Sequence, residues 1–503
     1  IPSLASPVDS NISSVILLIG LAVGVDYTLF YLRREREERA AGRSADAALE
    51  AAAATSGRAV LISGFTVMVA MAGMYFTGSQ TFSSFATGTI IVVAVAMVGS
   101  ITVLPALLSK LGDRVDKARV PFLHRLRSKN GESRLWGPIL DRVLARPKLS
   151  VALAAGVLVV LALPSLTLKT GVPGTDSLPR DLAVMQTFDR IEAAVPGGPL
   201  PAVVAITADD VTAPAVRSAI ADLRRDALAS GQMKEPVQVD VSPDKRVARV
   251  LLPLDGDGSD ARSQGALTTL RSDLIPSTLG RVDGVQASVS GQTAQSRDFN
   301  DLMKGHAPIV FAFVLTMAFL LLLVTFRSLV IPIKAIVLNL LSVGAAYGVL
   351  VWLFQEGHGE QLLGFESTGA ITSWLPLFLF VILFGLSMDY HVFILSRIRE
   401  AVDRGESTDD AVAHGIRSTA GVVTSAAMVM VAVFAIFATL SFLDFKEMGV
   451  GLAVAVLIDA TIVRGVLLPA TMKLLGDRNW YLPKSLRWLP RFDHEPQVEP
   501  ARS

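Results

Sequence analysis

Apolar residues are concentrated in nine stretches of this chain, each close to the length of about 20 residues that a bilayer core requires. Seven of the eight connections between them are short or moderately long and polar, and a single longer polar region separates the fourth from the fifth. We therefore predict a polytopic α-helical membrane protein. The predicted spans lie at 12–32, 58–77, 85–109, 149–168, 307–326, 330–354, 373–396, 418–440 and 448–474.

The long polar region, residues 169–306, alternates between strand-like and helix-like patterns. Strand-like segments occur at 200–207, 236–241, 246–254 and 285–290, and helical ones at 213–229 and 261–274. The resulting order, β-α-β-β-α-β, is that of the ferredoxin-like split βαβ arrangement. We expect one α+β domain here.

Basic residues in the connecting segments predict the orientation of the spans. They cluster after the first span, from Lys110 to Lys148, from Arg327 to Lys334, around Arg397 and after Lys473. Alternating spans put all of these on one side, which we assign to the cytoplasm. The C-terminus is then cytoplasmic and the α+β domain extracytoplasmic. Segments 33–57 and 397–416 are interpreted as amphipathic cytoplasmic helices, with solvated connectors as the alternative.

The composition agrees with a membrane protein and excludes several other classes. Hydrophobic residues make up 51% of the 503 residues, charged residues 18%, and the net charge is +1. Such a balance gives no preference for nucleic acid. Cysteine is absent, which excludes disulfides, thiolate metal sites and thiol nucleophiles. Without a nucleophile elbow, a phosphate loop or histidines at metal-ligand spacing, we expect neither an enzyme nor a bound cofactor.

Two acids inside the apolar stretches are the strongest functional signal. Asp26 and Asp389 are the only acidic residues between positions 12 and 32 and between 374 and 395, and each is followed by a tyrosine, Tyr27 or Tyr390. A carboxylate within a membrane helix is energetically costly, so it is normally a functional group with a partner. A buried hydrogen-bonded packing element is the alternative.

An internal repeat relates these two sites. A shift of 363 positions aligns Asp26-Tyr27 with Asp389-Tyr390 and Gly42-Arg43-Ser44 with Gly405-Glu406-Ser407. Long repeats of membrane helices are typical of transporters, whose sites lie at the repeat interface. The second repeat contains one span, the α+β domain and five spans, whereas the first contains three spans. We therefore expect one span, a second outer domain and two further spans to precede Ile1.

The predicted organisation has six parts. They are the last three helices of the first half (1–110), a cytoplasmic linker (111–147), the first helix of the second half (148–168), the extracytoplasmic domain (169–306), five further helices (307–478) and a cytoplasmic tail (479–503).

Three motifs carry a resemblance to a known family. They are Gly385-Leu386-Ser387-Met388-Asp389-Tyr390, the run from Gly451 to Arg464, and Leu468-Pro469-Ala470 leading to Leu475-Gly476-Asp477. Together they resemble the mycobacterial-membrane-protein-large (MMPL) family of the resistance-nodulation-division superfamily. The resemblance covers essentially the whole chain.

The resemblance implies a function and a set of site residues. It implies twelve helices in two halves, two porter domains, and export of lipids or other hydrophobic molecules across the bacterial inner membrane, driven by the proton gradient. The relay residues that match the family are Asp26, Tyr27, Asp389 and Tyr390. Accessory envelope proteins are the expected partners, and the expected oligomeric state is a monomer or a trimer.

Packing of the halves about a pseudo-twofold axis predicts that each aspartate meets the tyrosine of the other half. Ser387, Ser63 and Ser425 are candidate members of the same network, although membrane serines often bond only to their own helix. Asp459 and Arg464 are either an auxiliary proton site or a structural pair. Asn339, in the sixth span, is open to the same two interpretations. His391 directly follows Tyr390 and is a candidate for the relay, but it points roughly 100° away from Tyr390 around the helix.

Two other functions remain open at this stage. Multidrug or secondary-metabolite efflux uses the same architecture, because cargo choice depends on cavity surfaces that the motifs do not describe. A non-transporting membrane sensor or scaffold is the second alternative, and it does not need paired intramembrane acids.

Overall fold

The computed structural model describes residues 12–111, 136–172, 183–194, 201–256, 258 and 260–490. Within these ranges, nine helical segments are long and apolar enough to cross a bilayer, and each overlaps one predicted span. The segments are Ile12–Ala40, Val60–Thr77, Gln80–Leu111, Pro147–Thr167, Gln292–Phe326, Val330–Gln355, Leu375–Asp403, Thr408–Phe437 and Leu443–Trp480.

The helices are numbered here in chain order. The helices α1 to α8 are Ile12–Ala40, Ala45–Ala72, Gln80–Leu111, Trp136–Ala145, Pro147–Ala162, Ala183–Ala194, Pro214–Ala229 and Ala261–Thr269. The helices α9 to α15 are Gln292–Phe326, Val330–Leu350, Glu360–Leu363, Leu375–Asp403, Thr408–Phe437, Leu443–Ile458 and Leu468–Leu475. The strands β1 to β6 are Thr170–Gly171, Ala202–Thr207, Gln238–Val241, Val247–Leu252, Gln286–Ser290 and Ile371–Thr372.

The prediction of separate amphipathic helices at 33–57 and 397–416 is wrong. Instead, α1 and α2 form a continuous helical hairpin that extends beyond the apolar spans, and α12 and α13 form the corresponding hairpin in the second half. Each turn contains a glycine with positive φ, Gly42 or Gly405, followed by a serine that caps the next helix, Ser44 or Ser407. These caps satisfy free backbone N–H groups where α2 and α13 begin, and the polar segments are the ends of the long helices rather than separate helices between them.

The two halves of the repeat pack reciprocally. Helix α1 packs against α13, and α2 packs against α12. Because α1 corresponds to α12 and α2 to α13 in the repeat, these two contacts are equivalent. Helix α12 is at the centre of the bundle, because 94% of its most apolar 18-residue stretch is buried in protein. In the span that contains α5, only 6% of the equivalent stretch is buried.

Helices α5 and α10 approach each other more closely than side chains normally allow. A Cβ atom added to Gly348 would lie 1.8 Å from the carbonyl oxygen of Leu161, whereas one added to Gly344 would lie 3.6 Å from the Cβ of Ala162. The contact at Gly348 is therefore between two backbones, and only glycine fits there.

The region between α5 and α9 contains an antiparallel sheet, here called the sheet domain (residues 201–290). Its strand order is β3-β4-β2-β5, and the registers pair Val204 with Val250 and with Val289. The inward-facing residues alternate along β2 and β4 and pack against α7 and α8 in a separate apolar core. The domain follows the predicted order of strands and helices.

A small contact, which we call the clasp, lies where the sheet domain joins the membrane helices. It consists of β1, β6 and Asn300. Strand β1, which precedes the domain in the chain, pairs in parallel with β6, which precedes α12. The Thr170 hydroxyl donates to Asn300 Oδ1 at 2.7 Å, and Asn300 Nδ2 donates back to the Thr170 carbonyl at 3.1 Å. Since Asn300 belongs to α9, which follows the domain, the clasp joins both connections of the domain to α12.

Parts of four predicted segments lie outside the described residues. They are 1–11 of the first segment (1–110), 112–135 of the 111–147 linker, 173–182, 195–200, 257 and 259 of the 169–306 domain, and 491–503 of the 479–503 tail. The remainder of the linker is mainly α4, which was not predicted as an element. It packs against the membrane helices, where Trp136 Nε1 donates to Thr424 Oγ1 at 2.7 Å and Arg417 pairs with Asp141 at 2.6 Å.

Candidate functional site

A hydrogen bond inside the membrane region joins the two halves. The Tyr390 hydroxyl on α12 donates to Asp26 Oδ2 on α1 across a short contact. Both side chains are buried, with relative exposures of 3% for Tyr390 and 5% for Asp26. Among the described residues, Asp26 Oδ1 has no hydrogen-bond partner. Tyr390 thus supplies the donor that this buried carboxyl group needs.

Two further residues surround the hydroxyl and ring of Tyr390. Met430 on α13 places its sulfur 3.1 Å from the Tyr390 oxygen. Arg464 lies over the ring, with its guanidinium carbon 4.3 Å from the ring centroid. A thioether is a weak acceptor, so the hydroxyl has a strong acceptor in Asp26 and a weak one in Met430.

Arg464 also belongs to a buried polar cluster. It forms a short ion pair with Asp459 and donates to the Ser387 carbonyl at 2.9 Å. The Ser387 hydroxyl lies 2.9 Å from Asp459 Oδ2 and 2.7 Å from Asn339 Oδ1. Because Ser387 precedes Tyr390 by three residues on the same face of α12, this cluster and the Asp26 contact form one network.

The helix that carries Asp459 and Arg464 changes form at these residues. Beyond α14, residues Asp459–Leu467 are π-helical. Residues five apart are linked by the i→i+5 hydrogen bonds of a π-helix, whereas in an α-helix they point about 140° apart. The wider turn therefore brings Asp459 and Arg464 to the same side.

A small cavity, with room for about one water molecule, lies beside the network. Its walls combine the polar side chains of the network with apolar residues of α10, α12, α13 and α14. The polar residues that line it are Asn339, Ser342, Ser387, Tyr390, Asp459 and Arg464. The arrangement allows a proton or a water molecule to reach Asp459 and Tyr390 from a common space.

The remaining predicted residues lie at different distances from this network. Tyr27 is buried on α1 with its hydroxyl close to Gly64 on α2. Asp389 is a residue of α12, and the structure describes its backbone but not its side chain. Ser63 is buried and its hydroxyl has no hydrogen-bond partner among the described residues. Ser425 is exposed and donates to the Gly421 carbonyl of its own helix.

Residues outside the predicted relay also take part. The sequence did not indicate a role for Met430, because a functional methionine in an apolar helix cannot be distinguished from an ordinary core residue. Asn339 was open to two interpretations, and the structure places it in hydrogen-bond contact with Ser387. His391 follows Tyr390 in the chain and is fully buried, but it does not line the cavity.

Known proteins with the same sequence pattern place the chain in a family. A model described as the MMPL family matches residues 4–150 and 176–497. The chain belongs to the MMPL family. This result confirms the resemblance drawn from the Asp-Tyr motifs and from the motifs around Arg464 and Pro469.

Two MMPL relatives show how far the similarity extends. The mycolic acid-containing lipids exporter MmpL11 of Mycolicibacterium smegmatis is 38% identical over 501 residues, covering 97% of this chain and 52% of that protein. The heme uptake protein MmpL11 of Mycobacterium tuberculosis is 37% identical over 485 residues, covering 95% of this chain and 49% of that protein. The chain thus spans about half the length of the curated relatives it matches.

One solved structure supports the fold of this MMPL chain. SecDF from Thermus thermophilus, a translocon-associated membrane protein, aligns with a TM-score of 0.53 at 16% identity. The alignment covers 91% of this chain and 54% of SecDF. At this identity the likeness concerns the fold alone.

Proposed function

We propose that this chain carries the proton-coupling site of a transporter that exports lipids or other hydrophobic molecules across the bacterial inner membrane. The observation on which the proposal rests is the hydrogen bond from Tyr390 to Asp26, which joins the two halves of the repeat within the membrane region. The MMPL relatives named above are transport proteins rather than enzymes. The proton gradient is then the energy source, and no cofactor is needed.

The charges of the network suit a group that gains and loses one proton. Among its described side chains are two carboxylates, Asp26 and Asp459, and one guanidinium, Arg464. Asp459 is paired with Arg464, so Asp26 is the carboxylate without a cation of its own. A buried charge without a full partner is costly. Protonation of Asp26 removes that cost, and it is therefore the preferred proton acceptor.

Tyr390 converts this protonation into a change of contacts. While Asp26 is ionised, it accepts the hydrogen bond from Tyr390. Once Asp26 holds a proton it becomes a donor itself, and the Tyr390 hydroxyl is free to turn toward Met430, whose sulfur is 3.1 Å away. The strong bond between α1 and α12 is then replaced by a weaker contact between α12 and α13.

The second half transmits this change because Tyr390 is connected, through Ser387 on the same helix, to the π-helical segment that follows α14. Ser387, one turn before Tyr390, is bonded to both Asp459 and Arg464. A shift of α12 against α1 therefore moves the π-helical segment with it. We propose that the halves rock against each other in this way, and that Asp389 and Tyr27 form the symmetry-related contact.

Several finer features belong to the same proposal. The antiparallel order β5-β2-β4-β3 and its two helices support a ferredoxin-like porter domain, which we place on the extracytoplasmic side with the C-terminus in the cytoplasm. An intact protein with twelve helices and two porter domains agrees with the coverage of about half of each relative, 52% and 49%. Accessory envelope proteins are the proposed partners, and the proposed assembly is a monomer or a trimer.

Lipids are the proposed cargo because the relative from M. smegmatis is named as an exporter of mycolic acid-containing lipids. The relative from M. tuberculosis is named for heme uptake at nearly the same identity, so heme is the second candidate. Two alternatives to lipid export are tested below. One is efflux of drugs or secondary metabolites, and the other is a membrane sensor or scaffold that does not transport.

The test compares Asp26→Asn and Tyr390→Phe with wild type in the intact protein. In proteoliposomes with an imposed pH gradient, we expect wild type to show substrate-dependent proton flux and both variants to fall to background. In cells, one lipid class should disappear from the surface and accumulate inside. Proton flux that is unchanged in both variants would reject the relay.

Ser425→Ala and Tyr347→Phe serve as matched controls. Ser425 bonds only within its own helix, and Tyr347 donates to the Pro376 carbonyl away from the network. Both variants should retain the flux. If wild type itself shows no flux but binds a specific ligand, the sensor alternative replaces transport.

A further inference from the structure

A second buried acid lies at the end of the helix bundle that faces the sheet domain. Glu447 is in the second turn of α14, with 0% relative exposure. Its Oε2 atom accepts a hydrogen bond from the backbone N–H of Thr372 at 3.1 Å. Its Oε1 atom has no hydrogen-bond partner among the described residues. The relay described above does not use this carboxyl group.

The charged groups around Glu447 do not neutralise it. Lys446 is adjacent in the chain, but its ammonium group donates to the carbonyls of Leu363 and Gly364. Asp444 adds a second negative charge one turn earlier. Glu360 on α11 accepts from the Ser367 amide at 2.8 Å. Among the described residues, Glu447 has no ion-pair partner, so its ionised form depends on backbone donors.

Glu447 is bonded directly to the clasp. Thr372 belongs to β6, and the β1–β6 pairing is completed by hydrogen bonds from the Ile371 amide to the Lys169 carbonyl and from the Ser373 amide to the Gly171 carbonyl, both at 2.8 Å. Thr170, within the same clasp, is bonded to Asn300 of α9. A change at Glu447 therefore acts on the segment that holds both connections of the sheet domain.

The same helix also reaches the relay. Asp459 lies twelve residues after Glu447, about 18 Å along the helix axis at 1.5 Å per residue. α14 and the π-helical segment that continues it thus have one carboxyl group in contact with the clasp and another in contact with Ser387 and Arg464.

We propose that Glu447 is a second proton-binding residue of the transporter and that its charge sets the strength of the clasp. A hydrogen bond from a backbone N–H to a carboxylate is roughly twice as strong as one to a neutral acceptor. Proton uptake at Glu447 therefore weakens its bond to Thr372 and loosens β6 from the bundle. This inference rests on the proposed function, and it assigns to Glu447 the coupling of proton uptake to movement of the sheet domain.

The test is hydrogen–deuterium exchange of the clasp amides in the intact protein in nanodiscs, measured from pH 5 to 9 and corrected for the intrinsic exchange rate. In wild type, we expect protection of residues 371–373 to fall about tenfold from the ionised to the protonated form, the usual difference between charge-assisted and neutral hydrogen bonds. In Glu447→Gln, which is neutral at every pH, protection should be low and independent of pH.

Two further variants separate proton binding from a purely structural role. Glu447→Asp withdraws the carboxylate from Thr372 by one methylene and should also flatten the pH profile, which provides a readout if Glu447→Gln does not fold. Tyr347→Phe removes a different hydrogen bond between α10 and the start of α12. It should lower protection in general while keeping the pH dependence.

The outcomes distinguish this inference from the proposed function. Protection of 371–373 that does not vary with pH in wild type, together with normal proton flux, would overturn the role of Glu447 and leave the relay intact. Protection that varies with pH and depends on Glu447, without substrate-dependent flux, would support the proton-binding residue and reject export.

Discussion

The guanidinium carbon of Arg464 lies 4.3 Å from the ring centroid of Tyr390. The same group pairs with Asp459 and donates to the Ser387 carbonyl. One buried cation therefore balances a carboxylate and orients the tyrosine that contacts the other half. A cation over an aromatic face is worth about 2 kcal/mol when both are desolvated, so Arg464 has a large effect on where Tyr390 lies.

Replacement of Arg464 by lysine should impair coupling although the charge is kept. A lysine ammonium group is compact and cannot both stack on the Tyr390 ring and donate in several fixed directions. We expect proton-driven transport to fall about tenfold or more, which corresponds to a loss of about 1.4 kcal/mol, with little change in expression. The measurement is proton flux in proteoliposomes. Flux equal to wild type would show that the ring contact has no role.

A double replacement decides between the two interpretations of Asp459 and Arg464. Arg464→Gln alone leaves Asp459 as an uncompensated buried charge, and we expect a loss of about 3–5 kcal/mol in the free energy of unfolding. Combination with Asp459→Asn should recover most of that stability.

Transport by the double variant is the informative readout. We expect it to remain inactive because Tyr390 has lost its cation. Recovery of both stability and flux would instead identify the two residues as a structural pair. Thermal unfolding and flux measured on the same preparations separate these results.

A single methyl group at Gly348 should destabilise the helix bundle. Because a Cβ there would lie 1.8 Å from the Leu161 carbonyl, Gly348→Ala must push α5 and α10 apart, and overpacking of this kind costs about 1–3 kcal/mol. Gly344→Ala is the matched control on the same face of α10, where the nearest atom is 3.6 Å away. Only the first variant should lower the melting temperature.

The turn before α7 should loosen in acid. The amide and hydroxyl of Thr212 both donate to Asp210 Oδ1, at 2.8 and 2.5 Å, and these bonds, with the hydroxyl contributing most, lower the pKa of Asp210. A lowered pKa in the folded state means that the stabilisation is present above the ordinary aspartate value of 3.8. It is lost as the pH falls through the lowered pKa.

Hydrogen exchange of the Thr212 amide below pH 4 measures this effect. Protection in wild type should decrease as the pH falls, whereas Asp210→Asn should give a flat profile because its side chain keeps an acceptor without a titratable charge. An identical pH profile in the two proteins would contradict the assignment.

The membrane helices and the partner of Asp26 could be predicted from the sequence. Apolar runs gave the spans, and the 363-residue repeat indicated that Asp26 would meet Tyr390. A structural pair of Asp459 and Arg464 was one of the two alternatives, but its geometry could not be predicted, because a spacing of five residues places the two side chains about 140° apart in an α-helix. Only the π-helical segment brings the two together, and no residue type in Asp459–Leu467 specifies that change.

The helical hairpins and Glu447 were missed for different reasons. Segments 33–57 and 397–416 carry many charges, which resembles a surface helix, but ion pairs within α1 such as Arg34–Glu38 at 2.8 Å stabilise an extended helix away from the apolar core. Glu447 lies near the start of an apolar run, where an acid is usually exposed. Its burial results from the packing of β6 against α14, a contact between residues 75 positions apart in the chain, and hydropathy does not reveal such contacts.

The backbone contact at Gly348 also limits where the protein can deform. Helices that touch through their main chains cannot slide past one another without a clash, so α5 and α10 act as a single rigid body. Relative motion of the halves must then be accommodated elsewhere, at the α1–α13 and α2–α12 interfaces, which are built from side chains that can exchange rotamers. The hydrogen bond from Tyr390 to Asp26 consequently lies between the parts of the molecule that can still move against each other.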